Sequence, residues 1–184
     1  MRSSKPKNKK LAKDKVNIIP FIKKININLH NFSEILYVDG LKILNVSGNP
    51  ISSFDNLPPL PTLNTFIADN TQISTLKGAI PLPCLEHLSL LNTPISTQEN
   101  FEIMCLTAFG QGIKNLNDRL ISKSDIQIST KVKSKLYPYF FKGYLLDTVE
   151  PLIVTLPDQI PTVRIEADLE GSEIEEKETQ IKSN

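Results

Sequence analysis

The chain contains 184 residues, 40% of them hydrophobic, which is enough for the buried core of one ordinary domain. Its 21 basic and 20 acidic residues leave a net charge of +1, which excludes a protein covered uniformly with positive charge for coating polyanions. The charged N-terminus is not followed by an apolar run of signal-peptide length, and no stretch reaches the ~18 apolar residues that span a bilayer. With only two cysteines, Cys84 and Cys105, we expect no disulfide framework and a location in the cytoplasm or nucleus, away from membranes.

Basic residues dominate the start of the chain. Residues 2–15 carry seven bases and one acid, Asp14. This composition predicts a disordered basic arm over residues 1–15, because it offers too few apolar side chains to offset the entropy lost on ordering. Nuclear import, RNA and an acidic protein surface all stay open as targets of such an arm. The bases are Arg2, Lys5, Lys7, Lys9, Lys10, Lys13 and Lys15.

A 22-residue repeat organises the middle of the chain. The three clear units are Leu41, Leu44, Val46, Asn49, Ile51, Phe54, Leu57 and Leu60; then Leu63, Phe66, Ala68, Thr71, Ile73, Leu76, Ala79 and Leu82; then Leu85, Leu88, Leu90, Thr93 and Ile95. A degenerate earlier unit, in which Ile22 takes the place of Leu41 after a shortened spacing, is Ile22, Ile25, Ile27, His30, Phe32, Ile35 and Val38. A fixed period of this length predicts stacked units that share one core.

Each unit alternates as a short strand does and then turns. Leu44 and Val46 fall on one face of the strand. The chain is then expected to turn inward at Asn49, whose side chain can bond backbone groups of neighbouring loops, and Thr71 and Thr93 can do part of the same job. Prolines between the strands remove amide donors and oppose an α-helix, so the opposite side is expected to be extended or 3₁₀.

Helix signals follow the third unit. Residues 96–99, Ser-Thr-Gln-Glu, have the pattern of a capping box, which predicts a helix start. Phe101, Cys105 and Phe109 then share one helical face, and Gly110 is the expected stop.

The repeat region closes with a last short strand over residues 113–117 and a second capping box at 122–125, which opens a helix expected to end before Pro138. This ending and the pattern L-x-x-L-x-L-x-x-N-x-I resemble the leucine-rich repeats of the short 22-residue subclass, over residues 22–137. Members include a regulator of protein phosphatase 1 and the spliceosomal A-prime protein. The resemblance implies an α/β leucine-rich-repeat solenoid over residues 16–137, with a short parallel concave β-sheet, a mostly 3₁₀ or extended convex side and a helical C-terminal cap.

The concave face should present residues at equivalent positions of successive repeats. Three columns are expected to point out of it: Ile43, Thr65 and His87, continued by Asn115; Asn45, Ile67 and Ser89, continued by Asn117; and Ser47, Asp69 and Leu91, continued by Arg119. Exposed apolar residues beside amides and hydroxyls favour a protein-binding surface. The alternative is that strand positions merely favour β-branched residues. The predicted contact residues are Ile43, Asn45, Thr65, Ile67, Asp69, His87, Ser89 and Leu91.

Catalytic and metal-binding residues are not indicated. His87 has no assignable nucleophile, acid or second base, and no Cys or His lies at metal-ligand spacing to another. Cys105 is expected to be a buried apolar residue on its helix, whereas Cys84 can be exposed. We therefore expect no enzyme activity, no cofactor, no metal and no small-molecule substrate.

The C-terminal part falls outside the repeat pattern. Five aromatics lie within the eight residues 137–144, inside an aromatic and proline-containing extension assigned to residues 138–165. This extension either folds back over the open end of the solenoid or docks on another protein. Residues 166–184 hold seven acidic and two basic side chains, which predicts a disordered acidic tail.

The sequence thus predicts a non-catalytic protein–protein interaction module, a regulatory or adaptor subunit that binds its partner on the concave face. The alternative is a ribonucleoprotein component similar to the A-prime protein, whose RNA contact is made by a partner or by the basic arm. Direct nucleic-acid binding is disfavoured, because the chain has three arginines and the concave face is nearly uncharged.

Overall fold

The computed structural model describes residues 22–24, 28–35, 39–157, 159–166 and 175–178, and the predicted basic arm lies outside them. In chain order the elements are β1 (Ile22–Lys24), a 3₁₀ turn (Phe32–Glu34), β2 (Ile43–Asn45), β3 (Thr65–Ile67), β4 (His87–Ser89), a second 3₁₀ turn (Pro94–Thr97), α1 (Phe101–Phe109), β5 (Asn115–Leu116), β6 (Arg119–Leu120), α2 (Lys123–Phe141), β7 (Leu145–Thr148), β8 (Leu152–Leu156), β9 (Gln159–Glu166) and β10 (Glu175–Glu178). Within this part of the chain, neither helix is long and apolar enough to cross a membrane.

Strands β1 to β6 form one sheet, sheet A, in sequence order. Its first five strands run parallel, and Thr65 of β3 pairs with Ile43 of β2 and with His87 of β4. Paired residues in these strands are 22 positions apart in the sequence, which is the length of the repeat. The repeat therefore sets the register in which the strands pair. The central residues of β2, β3 and β4 are Leu44, Phe66 and Leu88, and all three are buried. The parallel sheet predicted from the sequence is therefore confirmed.

The polar residue that ends each strand satisfies buried backbone groups. Asn49 Nδ2 donates to the Val46 carbonyl at 2.7 Å, and Asn49 Oδ1 accepts from the Leu29 amide of the preceding unit at 2.8 Å. Thr71 and Thr93 donate to the carbonyls three residues before them, at 2.8 and 2.6 Å. A threonine side chain is shorter than that of asparagine, and here it makes the hydrogen bond to the carbonyl within its own unit. The two threonines therefore perform part of the role of Asn49, as the sequence predicted.

The side opposite the strands is built from turns, and one of them requires glycine. Gly78 has φ +76°, and a Cβ there would lie 2.6 Å from the Asp55 backbone. Its amide donates to the Phe141 carbonyl at 3.1 Å, which joins the second repeat to the end of α2. Only glycine combines this left-handed backbone with so close an approach.

The first unit has a different phase from the predicted one. Ile22 pairs with Ile43, an offset one residue shorter than the repeat, and is therefore not the counterpart of Leu41. Further along, Phe32 stacks on Phe54 at 5.8 Å between ring centroids, which restores the full period. The assignments of Ile25, Ile27 and Val38 lie outside the described residues.

Sheet A ends in a reversal that the sequence analysis missed. Asn117 and Asp118 have φ of 50° and 61°, the backbone of a two-residue type I′ turn, and β6 pairs antiparallel with β5. Arg119 consequently pairs with Leu116 and does not continue the third column, so that prediction was wrong. Asn117 Oδ1 accepts from the Leu90 amide at 2.7 Å, so this side chain closes the strand end and does not extend the second column.

Helix α1 begins later than the predicted capping box. Pro94 opens a 3₁₀ turn instead, and Ser96 Oγ donates back to the Thr93 carbonyl at 2.7 Å. Asn100, with φ 58°, precedes the helix. Every residue of α1 except Glu102 is buried, which confirms the burial of Cys105, and the helix ends at Gly110 as predicted.

Helix α2 starts where the second box predicted and ends later. Ser122 Oγ accepts from the Asp125 amide at 3.1 Å. The helix continues through Pro138 to Phe141, so the predicted end before Pro138 was wrong. A proline interior to a helix removes one backbone hydrogen bond, but the extra turn buries Phe140 completely. The boundary drawn between residues 137 and 138 thus falls inside α2.

Strands β7 to β10 form an antiparallel sheet, sheet B, in the order β10-β9-β8-β7. Its strand β7 packs on α1, where Asn100 Nδ2 donates to the Asp147 carbonyl at 3.0 Å. Leu146 and Val154 are buried in the common core, so residues 138–157 fold back on their own chain. Residues 175–178 form β10, which corrects the prediction of disorder for that part of the acidic tail.

Candidate protein-interaction face

The open face is the side of sheet A opposite Leu44, Phe66 and Leu88. Because side chains alternate along a strand, the residues on either side of these three point away from the core, and each is half-buried. Two more predicted residues, Asp69 and Leu91, follow the strands and are accessible. The structure therefore brings together all eight predicted residues: Ile43, Asn45, Thr65, Ile67, Asp69, His87, Ser89 and Leu91.

Three apolar residues of the open face, Ile43, Ile67 and Leu91, form a diagonal row. From Ile43 to Ile67 the row advances by one strand across the sheet and two positions along the strand, and Leu91 lies two residues beyond Ser89, the strand partner of Ile67. With strands about 4.8 Å apart and about 3.4 Å per residue, the step from Ile43 to Ile67 is about 8 Å. Leu91, at its end, is 36% exposed.

His87 lies at the centre of the polar part of the face. Asn115 Nδ2 is 2.9 Å from His87 Nδ1, so the amide and the ring are within hydrogen-bond distance of each other. A pocket of about 120 Å³ lies beside the ring, lined by Thr65, Phe66, Ile67, His87, Leu88, Ser89, Asn115 and Asp118. These groups can exchange hydrogen bonds with a ligand, but they do not supply the nucleophile and oriented base that a hydrolytic site needs.

Asp69 stabilises the face as well as lying on it. Its Oδ1 accepts from Ser89 Oγ at 2.6 Å and from the Leu91 amide at 2.8 Å, and its amide donates to Ser47 Oγ at 3.1 Å. These bonds join three successive repeats. The carboxylate is thereby held by its neighbours, so it fixes the positions of Ser89 and Leu91.

Leu120 is an open-face residue that sequence reasoning missed. It pairs with Asn115 across the β5–β6 reversal, so it continues the first column beyond Asn115, and it is 82% exposed. The signal was present in the dipeptide Asn117-Asp118, since Asn and Asp are, after glycine, the residues that most readily adopt the positive φ of a type I′ turn.

A charged pair borders the face. Lys114 Nζ donates to Glu86 Oε1 at 2.8 Å, one residue before Asn115 and His87 respectively. The hydrogen bond from Lys114 lowers the pKa of the Glu86 carboxyl. Both side chains are exposed, so water and salt screen this ion pair and it contributes little to stability.

The two cysteines and the possible metal ligands are further candidate functional groups. Cys105 is buried, and burial raises the pKa of its thiol well above the usual value, which keeps it protonated; Cys84 is exposed. Across residues 22–24, 28–35, 39–157, 159–166 and 175–178, no three His, Cys, Asp or Glu side chains are grouped to hold a metal ion.

Comparisons with known proteins give a partial likeness to solved structures. No protein-family model matches the chain, and no curated protein matches it. Among solved structures, a chain in the crystal structure of the Drosophila melanogaster SNF/U2A′ complex is similar, with 23% sequence identity, covering 60% of this chain and 83% of that chain at a TM-score of 0.36. A TM-score this low supports no inference about function.

Proposed function

We propose that this chain is a non-catalytic leucine-rich-repeat solenoid of the 22-residue class that binds another protein through the open face, as a regulatory or adaptor subunit in the cytoplasm or nucleus. The observation that carries the proposal is the diagonal row of Ile43, Ile67 and Leu91 on a face whose other five predicted contact residues are polar. Repeat proteins use such registered faces as extended binding surfaces.

The chemistry of the face favours a protein over a phosphate-bearing ligand. Asp69 is its one charged member among the eight residues, and its Oδ1 is engaged by Ser89 and Leu91. A partner segment with apolar side chains about 8 Å apart would bury the row, and His87 and Asn115 would exchange hydrogen bonds at its edge. Removing such uncharged groups from water costs far less than removing ions.

The test replaces Ile67 with Asp. Ile67 is half-buried at the centre of the row, so we expect Ile67→Asp to abolish capture of a partner while the melting curve changes little. The matched control is Gln72→Asp, which adds the same charge in the same repeat at an exposed position beyond the strand. A photoreactive residue at position 65 identifies the partner by cross-linking in extracts, with the same label at position 127 on α2 as the negative control.

The ribonucleoprotein alternative predicts the opposite result. Replacing Lys5, Lys7, Lys9 and Lys10 by Gln would then abolish capture, which would also fall steeply with salt as counterion release predicts. Retention of the partner by Ile67→Asp, together with loss in the lysine variant, would overturn the open-face proposal.

A further inference from the structure

Backbone amides just after the strands of sheet A form a ladder from each repeat to the next. In the first two clear units, two amides donate to carbonyls of the following unit, as buried or half-buried backbone groups require. The four bonds, of 2.8 to 2.9 Å, are Val46 to Ile67, Gly48 to Asp69, Ala68 to Ser89 and Asn70 to Leu91. Each unit thus depends on the next for the carbonyls at this edge of the sheet.

The ladder ends at the third unit. Leu90, the counterpart of Ala68, donates to Asn117 Oδ1 at 2.7 Å in place of a carbonyl. The amide of Asn92, the counterpart of Asn70, has no hydrogen-bond partner among the residues that the structure describes. The cause is the reversal at Asn117, because the chain turns back into antiparallel β6 before it could supply a carbonyl to Asn92.

The Asn92 amide is nevertheless oriented like its counterparts. Gly48, Asn70 and Asn92 have φ of 73°, 54° and 57°, so the backbone turns in the same way at these three equivalent positions. Asn92 Nδ2 also donates to Asn70 Oδ1 at 3.1 Å, which holds the two turns in register. The Asn92 N–H is therefore directed toward the place that the turn of a further repeat would occupy.

That place is a cleft, which we call the end cleft. Its volume is about 520 Å³, within the range of about 300–1,000 Å³ that is usual for ligand sites. Leu91, Phe101 and Leu116 give it apolar walls, and Asn92 is part of its lining. Since Leu91 also ends the diagonal row of the open face, the row and the cleft are continuous.

The charges of the end cleft favour a peptide over a free anion. Glu102 and Arg119 both line the cleft. Among the described residues neither of them takes part in an ion pair, and their charges cancel. A phosphate ion would meet the Glu102 carboxylate as well as Arg119, whereas a neutral peptide carbonyl needs only a donor such as the Asn92 amide.

We propose that the end cleft binds an extended segment of a partner protein, with a backbone carbonyl that accepts from the Asn92 amide and an apolar side chain that packs on Leu91, Phe101 and Leu116. The segment continues the ladder where the repeats end. Main-chain hydrogen bonds then supply affinity, and the apolar walls supply specificity. This inference rests on the proposed function, because we assign the segment to the protein that covers the open face.

The first test uses a phage-displayed library of random linear peptides as the probe. The library is selected on the full chain and depleted on Thr97→Trp, in which a bulky side chain fills the cleft from an exposed position of its lining. We expect peptides with an apolar residue to survive, and to bind Thr97→Trp about tenfold more weakly than the unchanged chain. The matched control is Gln98→Trp, at the next exposed residue and outside the lining, which should change affinity less than about twofold. Melting curves confirm that both variants are folded.

Hydrogen exchange at single amides tests the main-chain contact. In the free chain we expect the Asn92 amide to exchange fast and the Asn70 amide, which bonds the Leu91 carbonyl, to exchange slowly. A selected peptide should slow exchange at Asn92 about tenfold or more and leave exchange at Asn70 unchanged.

The open face and the end cleft can fail separately. Ile67→Asp lies outside the cleft lining and should change binding of the selected peptides less than about twofold, although it abolishes capture of the partner. Capture of the partner by Ile67→Asp, with peptide binding still sensitive to Thr97→Trp, would reject the open-face proposal and support the cleft.

Three results would overturn the end-cleft proposal. Survival of no peptide after depletion would mean that the cleft binds no extended segment. Unchanged exchange at Asn92 in the peptide complex would exclude the main-chain contact. Slow exchange at Asn92 in the free chain would mean that a segment of the chain itself already fills the cleft.

Discussion

The repeats of sheet A and the C-terminal unit of α1, α2 and sheet B follow different rules. In the repeats from β2 to β4, the strand register and the polar residue at each turn all obey one period. In the C-terminal unit, the start of α1 and the end of α2 both depart from the local signals at Ser96 and Pro138. A pattern that recurs in several repeats predicts structure reliably, because each repeat supports the same interpretation. The bounds of a helix that occurs once depend more on its tertiary contacts.

The two regions nevertheless share one core. Phe54 contacts Phe32 and Phe66 in the repeats and Phe109 in α1, with ring centroids 5.0–6.1 Å apart. Substitutions in this aromatic cluster therefore test most directly how strongly the repeats and α1 depend on each other.

Phe54→Ala should have the largest effect, a loss of about 3–5 kcal/mol in the free energy of unfolding, because it leaves a cavity among three other rings. Since Phe54 touches α1, we also expect faster thiol labelling of Cys105, which is fully buried in the native protein. Chemical denaturation measures the first effect and a timed alkylation assay the second.

Phe32→Ala is the matched control. Phe32 is equally buried and contacts Phe54 and Phe66, but it makes no ring contact with Phe109. A similar loss of stability with less acceleration of Cys105 labelling is the expected result. Equal acceleration in both variants would mean that the repeats and α1 open as a single unit.

A middle-sized effect is expected at Asn49. Asn49→Ala removes the bonds to the Val46 carbonyl and the Leu29 amide and should cost about 1–3 kcal/mol. Asn49→Thr should recover part of this loss, because threonine makes the carbonyl bond at the equivalent positions 71 and 93. Denaturation midpoints distinguish the three chains, and a threonine variant no better than alanine would contradict the equivalence.

Sequence reasoning succeeded wherever a residue had counterparts in the neighbouring repeats. The turn roles of Asn49, Thr71 and Thr93, and the accessibility of the eight open-face residues, could all be predicted in this way. Leu120 was missed although Asn117-Asp118 is a turn signal, because the reversal at these two residues has no counterpart in the neighbouring repeats. Sheet B was missed because its strands have no repeat counterparts, and Leu146 and Val154 are buried in the common core through contacts with residues distant in sequence.

The smallest predicted effect compares two buried threonines, one in each region. Thr107 Oγ1 in α1 is buried with no hydrogen-bond partner among the described residues, whereas Thr71 Oγ1 bonds the Ala68 carbonyl at 2.8 Å. Thr107→Val should therefore stabilise the protein by up to about 1 kcal/mol, and Thr71→Val should destabilise it by about the same amount. Melting curves give both signs, and destabilisation by Thr107→Val would mean that its hydroxyl has a partner.

The reversal at Asn117–Asp118 fixes where the repeat array could grow during evolution. A whole repeat duplicated between β3 and β4 would meet the same register on both sides, since each neighbouring pair of strands there is offset by one full period. A unit added after β5 would find its pairing edge already occupied by antiparallel β6. Gene duplication can therefore lengthen this protein upstream of α1, and β6 acts as a fixed terminus.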